Sequence, residues 1–183
     1  MVNKQPEVTE LTKTKLRRAF WSLYEHEPIE KISIKQITDI AGYNRGTFYL
    51  YFKDVYDLRE DIERKLLEVI GAMAADIIAS GREPDLSSMM DSLAPAVQTY
   101  GHYLRVLLGN NGDPLFKTRF KELTWPFVKQ NALKGRSFSP QEERLVKECY
   151  LAGLVAIIGA WLNEDDPLPV DQFIAFTMRE VFG

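Results

Sequence analysis

The chain has 183 residues, 45% hydrophobic and 27% charged, with a formal net charge of −3. That is the make-up of an ordinary soluble globular protein, long enough for one substantial domain or a small head on a larger body. Cys149 is the single cysteine, which excludes an internal disulfide framework and fits a reducing cytoplasm. Met1 to Glu10 is polar, unlike a signal peptide, and the longest apolar run, Cys149 to Leu162, has 14 residues. That length suits a buried core helix and is too short for a bilayer. The charge is unevenly placed: residues 1–53 hold 9 Lys and Arg against 6 Asp and Glu (+3), and the rest hold 14 against 20 (−6). Such asymmetry suits a DNA-facing head on an acidic body, although solvated surfaces also show it.

In chain order, Thr9 to Tyr24 reads as a helix with Leu16, Ala19, Phe20 and Leu23 on one side. Ser33 caps the next helix, and Gln36 completes a capping box with a hydrophobic staple from Ile32 to Ile37. Ile34, Ile37, Ile40 and Ala41 form its apolar face, and Gly42 ends it in the left-handed region. Asn44 then caps a helix expected over Asn44 to Phe52, with Phe48 and Phe52 assigned to the core. A gap of about three residues between two short helices is the build of a helix-turn-helix.

These residues resemble a family. Ile37 through Ala41, Gly42, Arg45-Gly46-Thr47-Phe48-Tyr49, and Phe52 followed by Leu58 are similar to the DNA-binding domain of the tetracycline-repressor (TetR) family. Farther on, Gly112-Asp113-Pro114-Leu115-Phe116 and the helix from Ala152-Gly153 to Trp161 resemble an AcrR-like, Gram-positive branch. The resemblance implies an all-α fold of about nine helices. It has a three-helix DNA-binding head in residues 1–53 and a ligand-binding and dimerisation body in residues 54–183. It further implies a homodimeric, ligand-responsive repressor on a palindromic operator, in which ligand binding tilts the fourth helix and changes the spacing of two heads. Half-sites face the same side of DNA only about 34–36 Å apart or at multiples of that.

From Asp54 onward the pattern is helical, with no alternating strand pattern. Leu58, Ile62, Leu66, Val69, Ile70, Met73 and Ile77 stripe one long helix that stops at Ser80-Gly81 and Pro84. Asp85 caps the next, which Pro95 and Gly101 are expected to bend or divide, before an Asn110-Asn111-Gly112 loop. Asp113 caps a helix with Pro114 at its first position, and Ser139-Pro140-Gln141-Glu142 is a capping box opening the helix that reaches Leu162. Pro169 to Phe182 closes the chain.

The expected DNA contacts are Lys35, Gln36, Asn44, Arg45, Gly46, Thr47, Tyr49, Tyr51 and Lys53. Arg45 offers paired donors to guanine O6 and N7, Thr47 a hydroxyl and a methyl to thymine, and Gly46 a close backbone approach. Tyr49 and Tyr51 offer phenols to phosphates, with plain packing as the alternative. Lys35 and Gln36 open the preceding helix, where phosphate clamping is expected. Relatives commonly carry a lysine where Val55 stands, and Lys53 is the candidate substitute.

The Cys149–Leu162 helix is apolar all round, so it is expected to be covered on several sides. Leu145, Cys149, Ala152, Gly153, Ala156, Gly159 and Ala160 are the expected dimer seam. Met73, Met89, Met90, Tyr100, Tyr103, Phe120, Trp125, Phe127 and Tyr150 are candidates for a pocket taking an apolar or aromatic effector, with ordinary core as the alternative. His26 and His102 lack partners at metal-ligand spacing, so no metal or cofactor is expected. With no phosphate-cradling glycine loop or nucleophile elbow, the chain reads as no enzyme. A rival reading is a coactivator that keeps the fold without reading an operator, for which Val55 is the motive.

Overall fold

The computed structural model describes residues 6–79, 86–109 and 112–181, without the side chains of Ile77, residues 86–93, Asn131, Ala132 and Val181. The expected Ser80-Gly81 and Pro84 stop, the Asp85 cap and the Asn110-Asn111 part of the loop lie outside these residues. Among the described residues the chain is all-α, with eight α-helices and one 3-10 turn (Ile29–Lys31) and no strand. The helices are α1 (Pro6–Tyr24), α2 (Ile34–Ala41), α3 (Arg45–Tyr49), α4 (Val55–Ala79), α5 (Leu86–Leu108), α6 (Pro114–Ala132), α7 (Pro140–Leu162) and α8 (Val170–Val181). Two compact units divide between Lys65 and Leu66, inside α4.

In the head, α1 to α3 and the start of α4 close around Leu16, Phe20, Ile37, Phe48 and Leu58, all fully buried. The capping box of α2 is formed: the Ser33 N–H donates to Gln36 Oε1 (2.8 Å) and the Gln36 N–H to Ser33 Oγ (3.3 Å). Gly42 ends the helix at φ 73°, where a side chain would be strained. One expected core residue is wrong. Ile40 is exposed, and Thr38 is buried in its place, its hydroxyl donating to the Ile34 and Lys35 carbonyls. Residues 34, 37, 38 and 41 make the tighter helical stripe, and Ile40 falls on its flank.

Ion pairs fasten α1 to α4. Arg17 donates through Nε to Asp61 Oδ2 (2.6 Å) and through Nη1 to Glu10 Oε1 (2.7 Å), and Lys65 Nζ reaches the same Glu10 oxygen at 2.8 Å. Burial acts to lower the Arg17 pKa, but Asp61 and Glu10 outweigh it and raise it overall. Buried Glu63 faces Arg59 Nε at 3.1 Å along α4.

In the body, α5 packs with α6, α7 and α8, and α6 with α7. Pro95 does not divide α5, which runs unbroken, so the count among described residues is eight helices where about nine were expected. A proline inside a helix removes one backbone hydrogen bond and crowds the preceding turn, a cost that the packing of α5 against α6, α7 and α8 has to offset. Gly101 is buried, with Leu162 Cδ2 3.5 Å from where a Cβ would stand, so its smallness admits a neighbour. At Gly112 a Cβ would lie 1.9 Å from the Leu107 carbonyl oxygen. The next residue, Asp113, caps α6 by accepting from the Leu115 N–H, and Phe116 is fully buried. Trp161 stacks on Phe173 (centroids 4.1 Å apart, 7° between planes) and donates through Nε1 to the Leu168 carbonyl.

The pH dependence of the α1–α4 clamp follows from Glu10, whose carboxyl is held at about 2 against an ordinary 4.5, by Lys65 first and then Arg17. A depressed carboxyl pKa stabilises the fold above the unfolded value and loses that effect as pH falls through the folded one. Wild type should therefore be more stable than Glu10→Gln at pH 7, with the difference fading between about pH 4.5 and about 2. Urea unfolding at a series of pH values measures it, and a constant difference would remove Glu10 from the clamp.

Candidate functional site

The second helix of the helix-turn-helix is shorter than the expected Asn44 to Phe52. It spans Arg45–Tyr49, after which the Tyr51 and Phe52 N–H groups both close on the Phe48 carbonyl (3.0 Å each). Asn44 caps it through Oδ1, which accepts the Thr47 N–H (2.8 Å) and the Thr47 hydroxyl (3.2 Å). Phe48 and Phe52 are buried, 5.8 Å apart, and point the opposite side of the helix outward.

The outward side holds Arg45, Gly46 and Tyr49, the last 59% exposed, with Lys53 exposed just beyond. Thr47 and Tyr51 are half-buried. Lys35 is exposed and paired with Asp39 (2.5 Å), while Gln36 is engaged in its capping box. The expected contacts are thus of two kinds. Arg45, Tyr49, Lys35 and Lys53 present side chains to solvent, whereas Gln36, Asn44 and Thr47 hold the local backbone. Sequence reasoning passed over Leu50, 64% exposed at the end of the same segment, because an exposed leucine breaks no helical pattern.

Val55 is buried among head core residues, at a position where a charge would be desolvated. At the same helix start, Asp54 Oδ1 accepts the Asp57 N–H and Asp57 Oδ2 accepts the Lys53 N–H. That packing account weakens the motive for the coactivator reading.

Within the body lies a cavity of about 200 Å³. Its walls come from α4 (Leu66, Val69, Ile70, Met73), α5 (Val97, Tyr100, Leu104), α6 (Phe120, Thr124, Phe127), α7 (Leu154, Ile158, Trp161) and α8 (Phe173, Ile174). The lining is almost wholly apolar. Thr124 is no exception, since its hydroxyl already donates to the Phe120 and Lys121 carbonyls at 2.9 and 3.3 Å. Of the expected pocket residues, Met73, Tyr100, Phe120 and Phe127 line this cavity. Tyr103 does not, and its ring packs against His102; Trp125 and Tyr150 pack instead on the cluster of Val128, Leu151 and Leu154. The Met89 and Met90 side chains lie outside the described residues. The missed residues are mostly aliphatic, with Trp161 and Phe173 among them, and helical spacing assigns them to core without revealing that a hollow lies beside them.

On α7, Leu151, Leu154 and Trp161 face inward. The opposite side is bare: Leu145 (67% exposed), Cys149, Ala152, Gly153, Ala156 and Ala160 are exposed and Gly159 half-buried. A helix apolar all round is thus covered on one side only, not on several. By length and composition alone α7 is apolar enough to cross a membrane, although its start carries Glu142, Glu143, Arg144, Lys147 and Glu148.

Residues 85–181 match the TetR_C_8 family, described as a transcriptional regulator C-terminal region. The chain belongs to the TetR family of transcriptional regulators. Its fold is also that of a TetR transcriptional regulator from Streptococcus agalactiae 2603V (TM-score 0.69, 18% identity, 97% of each chain). It is similar too to the fatty acid degradation regulator FadR from Bacillus halodurans (TM-score 0.62, 16% identity, 99% of this chain and 97% of that one). In sequence, it is 25% identical over 162 residues to the uncharacterised HTH-type transcriptional regulator YxbF of Bacillus subtilis (strain 168). That match takes in 85% of this chain but only 41% of the curated relative's length.

Replacing Val55 by lysine should lower the stability of the head by roughly 0.5–3 kcal/mol, the usual cost of a core substitution. Urea unfolding checks it; an unchanged midpoint would place residue 55 at the surface.

Proposed function

We propose that this TetR-family regulator is a cytoplasmic homodimeric repressor that binds a palindromic operator and is released by an apolar effector. The observation that carries the reading is the composition of α4. Its start supplies Val55, Leu58 and Ile62 to the head core, and its later residues Leu66, Val69, Ile70 and Met73 form one wall of the body cavity. A ligand that fits the cavity better in one setting of α4 shifts the population toward that setting. The lining supports an effector that is uncharged where it is enclosed, because the walls are almost wholly apolar and an unpaired buried charge is costly.

The reader in this proposal is the outward face of α3, with Arg45 paired to a guanine and Lys35, Tyr49 and Lys53 available to phosphates. Arg45→Ala should fold normally and lose base preference at one position, worth roughly 1–3 kcal/mol. Binding to a set of single-base operator variants checks this, and an unchanged sequence profile takes Arg45 out of the reading role.

The bare side of α7 is the proposed dimer seam. A Cβ at Gly153 or Gly159 would meet nothing within 4 Å, so the chain's own packing does not account for these glycines. Ala152, Ala156 and Ala160, four residues apart, let a second helix approach closely. Ala156→Glu would put an unpaired carboxylate into that contact, so the expected result is a monomer by sedimentation and no operator complex in a band shift. A variant that stays dimeric and binds would place the interface elsewhere.

A further inference from the structure

Four residues of the recognition segment share its outer face. Arg45 and Tyr49 are four apart, as are Gly46 and Leu50, and such spacings place side chains on one side of a helix. All four are exposed, whereas Phe48 and Phe52 on the other side are buried. Leu50 keeps helical geometry, with φ −70° and ψ −17°, so the face continues through it. A helical side chain leans over the turn before its own Cα. For Leu50 that turn holds Gly46, which carries no side chain to cover it; a Cβ there would meet only Asn44 Oδ1, at 3.1 Å. The result is an isobutyl group 64% exposed, higher than any other exposed large hydrophobic residue described in the head.

A lone exposed leucine carries no message on most surfaces. This one sits on a face that otherwise presents a guanidinium and a phenol, in a segment with net positive charge. The major-groove edge of duplex DNA offers hydrogen-bond donors and acceptors throughout and one apolar group, the C5-methyl of thymine. We infer that Leu50 is a specificity-determining residue that packs on a thymine C5-methyl group, so that each operator half-site holds a T·A pair at one fixed position read by shape and not by a hydrogen bond. The inference rests on the operator reading above and adds a contact of a different chemistry from that of Arg45.

Deoxyuridine in place of thymidine deletes the methyl group and keeps every hydrogen-bonding atom, so it tests this contact in isolation. Full-length wild type would first enrich sequences from a random pool of double-stranded DNA. The enriched duplex would then be rebuilt with uracil at one thymine at a time and its affinity measured. Wild type should weaken about fourfold at one thymine per half-site, roughly the effect of burying one methyl-sized group. Leu50→Ala should bind the thymine duplex more weakly by a similar factor and be indifferent to uracil at that position, while Leu50→Met should stay sensitive. Wild-type tolerance of uracil at every position, or a Leu50→Ala protein as sensitive as wild type, overturns the inference and leaves the operator reading standing. A wild type that enriches no sequence overturns both.

Discussion

A helix of five residues makes too few backbone hydrogen bonds to offset the entropy of its own nucleation. Arg45–Tyr49 therefore holds its shape only because Phe48 and Phe52 are buried beneath it and Asn44 caps its start. The helix packed on it is α2, which packs in turn on α1, and α1 is joined to α4 by the Arg17–Asp61 ion pair. The exposed face therefore depends on the core beneath it. Side chains that would reach a base edge are as well placed as that core is rigid.

Local signals in the sequence carried far. The capping boxes at Ser33 and Ser139, the Asn44 and Asp113 caps and the left-handed Gly42 all have the partners their chemistry requires. Each is settled within a few residues, so no distant contact had the power to overrule it. What stayed hidden depended on something that is not local. Pro95 and Gly101 look like helix breakers, yet α5 continues through both as one helix, and Leu162 occupies the space beside the glycine. Val55 reads as a missing charge until its burial is known. The cavity is the clearest case: periodicity marks Val69, Leu104 and Ile158 as inward-facing but says nothing about whether the space they face is filled.

The body leaves apolar surface unsatisfied twice, around the cavity and along the outer side of α7. Groups that bind the folded chain and not the unfolded one add stability in proportion to the logarithm of their concentration. On the reading proposed above, effector and second subunit would therefore both act as part of the core of this domain. Its measured stability would depend on protein concentration as well as on temperature.

The cavity walls are almost wholly apolar, and the one threonine hydroxyl on them already donates its proton to its own helix backbone. Discrimination within such a space comes from volume and contour, and a single methylene is worth only about a factor of four in burial. If the cavity takes an effector as proposed, its sensing would be graded and tolerant of near relatives of one compound. On that reading it would also be easily retuned in evolution: exchanging one aliphatic side chain for another in α5 or α6 would change what fits, while the face of Arg45 and Tyr49, built from a separate set of residues, would go on addressing the same genes.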